Sequence, residues 1–203
     1  MKSTIAVQFA RKRSGRTNYR RRLALLKSNR PRLVVRKTLS RIILQVVNFD
    51  AGGDKVIITA SSDSLKKLGW RHSCKNIPAA YLAGMLFGKV AIAAKISEVV
   101  PDIGLQSVTR GGKIFAALKG AKDAGLNFEV SDEVVPGSDA ISGAKIIAYA
   151  KSTKAVQFAK AGSAALKITE DFEKVKAAIS GGQWNTATAK AAAKNVNKKQ
   201  LSE

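Results

Sequence analysis

The sequence predicts an α/β fold built on a mixed sheet, with a basic N-terminal arm in front of it and a helical C-terminal extension behind. Three observations predict it. β-branched runs centred on Val34, Ile43 and Ile58 follow one another closely; an apolar helical pattern from Tyr81 to Ile92 stands before one more extended run; and Arg and Lys crowd the chain ahead of its first acid. Apolar residues make up 45% of the 203 and charged residues 25%, a balance that supports a packed core and argues against wholesale disorder or a disulfide-stapled design.

Residues 1–30 show neither a strand's alternation nor a sustained helical stripe, and read as a basic arm with a short helix through Tyr19 to Lys27. Lys and Arg number 36 against 14 Asp and Glu, a net charge of +22. Self-repulsion of that size points to a polyanionic partner that neutralises it. Fourteen of the basic residues precede Asp50, the first acid. Arg11, Lys12, Arg13, Arg16, Arg20, Arg21 and Arg22 place seven cations within twelve residues, with Thr17, Asn18 and Tyr19 among them, Tyr19 as a stacking ring. Guanidinium groups take phosphate oxygens bidentately, so this segment is expected to bind an RNA backbone as a mobile arm or one that folds on binding. A solvated tail or localisation signal is the bland alternative. Lys27 and Arg30 carry the basic track up to Pro31.

The core is expected over 31–136. Arg32 to Lys37 and Arg41 to Phe49 are two strand runs, with Arg32, Arg36, Lys37 and Arg41 keeping the track basic. The Asp50-Ala51-Gly52-Gly53-Asp54 turn leads to a third run, Lys55 to Ser61, so three consecutive antiparallel strands follow. Val56, Ile58 and Ala60 are expected on one face of that strand and Ile57, Thr59 and Ser61 on the other, both needing cover. Asn76 and Pro78 mark a helix start, and Tyr81, Leu82, Met85, Leu86, Val90 and Ile92 fill most of that helix's circumference. Glu98 to Ile103 then reads as a strand reached by a helical crossover, hence a parallel pair, with Pro101 favouring a sheet edge. A helix carrying Ile114, Phe115, Leu118 and Ala121 follows, stopped at Gly125, and Phe128 to Val135 is a further candidate strand. Residues 137–185 are expected to be helical and packed on the core, with Ile141, Ile147 and Tyr149 facing it and a helix from Glu170 to Ile179; 186–203 form an Ala- and Lys-rich tail.

Catalytic chemistry finds little to work with. His72 and Cys74 are the single His and single Cys, too few for a zinc site or a nucleophile with its base. One cysteine fits a reducing compartment. Asp50 and Asp54 bracket a turn, which explains them better than magnesium binding with Asp102. Arg110-Gly111-Gly112-Lys113 before a helix is a weaker anion candidate, and Trp70, with Arg71 and Lys75 near it, a weaker stacking candidate. No catalytic residue, metal, cofactor or small-molecule substrate is expected. The start turns polar too early for a secretion signal, and the most apolar stretch, Ala79 to Gly88, is far shorter than a membrane span, so a cytoplasmic location is expected.

A basic arm, then Pro31-Arg32-Leu33-Val34-Val35-Arg36, Gly69-Trp70, Asn76-Ile77-Pro78-Ala79-Ala80-Tyr81-Leu82, Asp102-Ile103-Gly104-Leu105 and Phe115-Ala116-Ala117-Leu118-Lys119-Gly120-Ala121-Lys122-Asp123-Ala124-Gly125-Leu126 occur in that order. Taken together, over about residues 9–180, they resemble the archaeal form of ribosomal protein L-eighteen, which binds 5S ribosomal RNA. The resemblance implies a three-layer α/β/α core with a mixed sheet of ribonuclease-H-like type. It also implies a non-enzymatic part of the central protuberance that holds 5S rRNA against 23S rRNA and neighbouring large-subunit proteins. Phe9 to Arg22 would be the chief RNA-binding segment, extended along the sheet by Arg32, Arg36, Lys37 and Arg41.

Overall fold

A computed structural model describes residues 7–152 and 162–182. The sheet has four strands, β1 (Arg32–Lys37), β2 (Ile42–Asn48), β3 (Lys55–Ser61) and β4 (Val100–Asp102), in the order β3-β2-β1-β4. The first three pair antiparallel and β4 joins β1 in parallel, so the sheet is mixed and Pro101 sits on its edge. Proline removes a ladder donor, which an edge strand tolerates.

One face of the sheet is apolar throughout. Leu33, Val35, Ile42, Leu44, Val46, Ile58 and Ala60 alternate into it and are buried against α3 (Ile77–Ala93) and α4 (Lys113–Asp123). Asn76 starts α3 by accepting from the Ala79 amide at 2.9 Å, with Pro78 in the first turn, the position where a missing N–H costs nothing. The two helices touch backbone to backbone. A Cβ on Gly84 would lie 1.9 Å from the Ala117 carbonyl oxygen, and one on Gly120 would lie 2.1 Å from that of Tyr81, so only glycine fits at either point. Gly125, at φ +112°, ends α4 in the left-handed region.

Among the described residues three further α-helices follow: α5 (Ser138–Ser142), α6 (Ala144–Lys151) and α7 (Ile168–Ser180). Ile168, Phe172, Val175 and Ile179 form a buried stripe along α7, each stabilising by about 1.5–3 kcal/mol on burial. Phe172 meets Tyr81 of α3 with ring centroids 5.9 Å apart, and Asp171 pairs with His72 Nε2 at 3.0 Å. Ahead of the sheet, α1 (Ala10–Arg13) and α2 (Tyr19–Leu26) occupy the leading segment, α2 close to the expected short helix.

Several expectations are corrected. The core helices α3 and α4 share one face of the sheet, α5 and α7 pack on α3, and the opposite face is met only by the leading segment with α2. Phe128 to Val135 is not a strand: Asn127 makes one isolated bridge to Glu98, and Asp132–Val134 is a 3-10 turn that the Ser131-Asp132-Glu133 sequence favours. Tyr149 is exposed, whereas Ile141 and Ile147 do pack on the core. In β3 the register shifts, Val46 facing Ile58 but Val47 facing Val56, so Ile57 is an extra residue and Val56 turns away from the face of Ile58. The expected tail at 186–203 lies outside the described residues, as do 1–6, 153–161 and 183–185.

Candidate nucleic-acid interface

The alternation that sends Leu33 and Val35 inward sends Arg32, Val34 and Arg36 to the opposite face of β1, beside Gln45 and Val47 of β2 and Val56 of β3. The leading segment lies over this second face and leaves a groove of about 360 Å³ between them. Asn18 caps α2 by accepting from the Arg21 amide at 3.1 Å, and the Tyr19 ring packs on Phe9 with centroids 5.1 Å apart. Arg11 Nε donates to Thr17 Oγ1 at 3.0 Å, closing the turn between α1 and α2. Two arginines of α2 reach the core: Arg21 donates to the Gly104 carbonyl at 3.1 Å, and Arg22 pairs with Asp54 at 2.9 Å.

The floor beneath is an ionic lattice. Arg32 is 4% exposed and bridges two carboxylates, Asp54 at 2.6 Å and Asp102 at 3.2 Å. Arg36 donates to the Asp102 carbonyl at 2.8 Å and stands 3.6 Å from its carboxylate, whose other bond comes from the Gly104 amide at 2.9 Å. Charges this deep persist only when paired on both sides. Asp54 and Asp102 are therefore the residues that fasten the leading segment and β4 to β1. Local sequence offered no sign of it, since Asp54 is also a plausible turn residue.

Thirteen of the fourteen early cations lie among the described residues, and they divide. Arg22, Arg30, Arg32, Arg36 and Arg41 each have a carboxylate partner far along the chain, in Asp54, Glu98, Asp102 or Asp63. Arg11, Lys12, Arg13, Arg16, Arg20, Arg21, Lys27 and Lys37 are exposed and have no carboxylate partner among the described residues. The leading segment is thus not a wholly unneutralised arm, and Arg32 is below the surface. Thr17 and Tyr19 are half-buried, turned to packing, while Asn18 is held by its cap.

The weaker candidates fare unevenly. Trp70 is core, 2% exposed, with its indole N–H donating to the Ser73 carbonyl at 3.3 Å, so it offers no ring to a base. In the Arg110-Gly111-Gly112-Lys113 turn the two glycine amides already donate, to Val134 at 2.9 Å and to Thr109 at 3.0 Å. Arg71, Lys75, Arg110 and Lys113 are exposed. Partial burial holds the Lys113 ammonium below its usual pKa, and Lys75 and Lys37 nearby depress it further. Cys74 is buried, which pushes its thiol up; among the described residues no cluster of His, Cys, Asp or Glu could hold a metal ion, and no helix is long and apolar enough to cross a membrane.

What this defines as a class is an α/β protein with an apolar sheet face under helices and an arginine-lined face under its own leading segment. Residues 3–99, just under half of the chain, match the family of ribosomal large subunit proteins 60S L5, and 50S L18. The matched stretch contains α1 to α3 and the first three strands, which include most of the arginine-lined face.

Proposed function

We propose that the chain binds 5S rRNA and helps anchor it to 23S rRNA in the central protuberance, as a non-catalytic constituent of the cytoplasmic ribosome beside neighbouring large-subunit proteins. The observation that carries this reading is the division of the early cations: eight lack a carboxylate partner among the described residues and are exposed, seven of them on and around α1 and α2 and Lys37 at the end of β1, at the edge of a face whose remaining arginines are locked in place. Locked arginines set the geometry; exposed ones supply the contacts. Phosphate contacts would dominate the affinity, with RNA shape and unstacked bases adding selectivity. Arg11, Lys12, Arg13, Arg16, Arg20, Arg21, Lys27 and Lys37 are assigned to the backbone, and Arg32 to support. The strand order β3-β2-β1-β4 is read as a ribonuclease-H-like frame used as a scaffold.

A magnesium nuclease is the competing reading, and the geometry favours it less: Asp102 is buried between Arg32 and Arg36, and Asp50 pairs with Lys55. The test is a titration of labelled 5S rRNA with the purified chain across a range of salt. Binding whose logarithm falls with log salt at a slope of roughly −6 to −7 fits eight phosphate contacts; a flat dependence contradicts it.

A further inference from the structure

We propose that the groove between α2 and the open face of the sheet is a binding site for one unstacked nucleotide of the bound RNA. The inference rests on the RNA-binding reading and adds where a base goes. The groove's volume of about 360 Å³ falls within the roughly 300–1,000 Å³ typical of small-ligand sites. Its rim and floor carry six guanidinium groups against two carboxylates, an excess of positive charge suited to a phosphate.

The rest of the lining suits a base. Val34, Val47 and Val56 make an apolar patch, and Val56 is 46% exposed because the extra residue in β3 turns it onto this face. Gln45 lies among them; its Nε2 donates to Thr59 at 3.2 Å, and its carbonyl oxygen accepts nothing from the described residues. An amide acceptor beside an apolar patch fits the exocyclic amine of a base. Arg32 adds an independent observation: it lines the groove, is 4% exposed, and its Nε has no hydrogen-bond partner among the described residues. A buried donor of a charged group left unmade is costly, and a small shift of the guanidinium toward an oxygen held in the groove would satisfy it.

The test is an NMR titration of the full chain with ribonucleoside 5′-monophosphates, with inorganic phosphate and free nucleosides as separate arms. The nucleotides should move the amide signals of Val34, Gln45, Val47 and Val56 together with the Arg32 Nε–H, in a saturable way. Phosphate alone should move arginine signals and leave the sheet amides in place. Sheet amides that respond to no nucleotide overturn the site. In a second arm, Val56→Gln, which adds no charge, should weaken RNA binding about tenfold with an unchanged salt slope and an unchanged melting temperature, because the phosphate count is untouched. Wild-type affinity in that variant also overturns the site. Failure of the unsubstituted chain to bind RNA would remove the functional reading instead, and the mononucleotide titration would still decide the groove.

Discussion

Arg32 and Asp102, seventy residues apart in sequence, form an ion pair at 3.2 Å between two nearly inaccessible side chains, on the face of the sheet turned toward α2. The pair ties β4 to β1, and through Asp54 the same guanidinium also meets Arg22 of the leading segment. Removing one member strands the other charge in a poorly solvated place.

Asp102→Ala is therefore expected to destabilise the fold by about 3–5 kcal/mol, read by denaturant unfolding. Asp54→Ala, whose carboxylate is more exposed, should cost less overall yet speed amide exchange across Tyr19–Leu26. An unchanged unfolding midpoint in the first variant would show that the lattice does not hold the sheet edge.

The paired and unpaired arginines should separate experimentally. Replacing Arg11, Arg13, Arg16 and Arg20 with Gln should make the RNA-binding salt slope shallower by about 3, with the melting temperature nearly unmoved. Arg22 does not belong in that set. Arg22→Gln leaves Asp54 with one partner fewer and should lower the melting temperature as well.

Close helix contact gives a sharper stability prediction. Gly84→Ala and Gly120→Ala each push a methyl into a carbonyl of the facing helix and should cost about 3 kcal/mol, the upper part of the overpacking range. The gain of about 1 kcal/mol that Ala normally brings to a helix does not offset it. Gly52→Ala, where nothing lies within 4 Å, is the control and should be near neutral.

Lys113 opens α4, so its ammonium faces both the positive end of the helix and two other lysines. Its pKa is lowered from 10.5 by burial first, then by Lys75 and Lys37, so the folded state disfavours the charged form. The resulting cost is complete below the lowered folded pKa and disappears as pH rises to the ordinary lysine value. Lys113→Gln should thus melt higher than the unsubstituted chain at neutral pH, with the difference fading as pH approaches 10.5. A difference that grows with pH contradicts this account.

Much of the fold is legible because its signals are local. The Asn76-Ile77-Pro78 start, the stop at Gly125, the turn before β3 and the proline in the edge strand are each stated by a few adjacent residues. What fails depends on distant partners or on a single inserted residue. The alternation of Val56, Ile58 and Ala60 reads as one face, yet the register shift moves Val56 to the other and so creates the apolar patch of the groove. Glu129 and Val130 alternate like a strand, yet pairing with the neighbouring segment stops at the single Glu98–Asn127 bridge and the chain turns at Asp132. The candidate site shows the same division. Its basic residues are plain in composition, whereas which of them are spent on Asp54, Asp63, Glu98 and Asp102 is a property of the folded chain alone.

The most direct measurement is competition: labelled 5S rRNA bound to the full chain at moderate salt, challenged with unlabelled 5S rRNA and with transfer RNA. Transfer RNA should displace the label only at concentrations about a hundredfold or more above those at which 5S rRNA does. Equal displacement by the two would leave a general cation without a chosen RNA and would contradict the account.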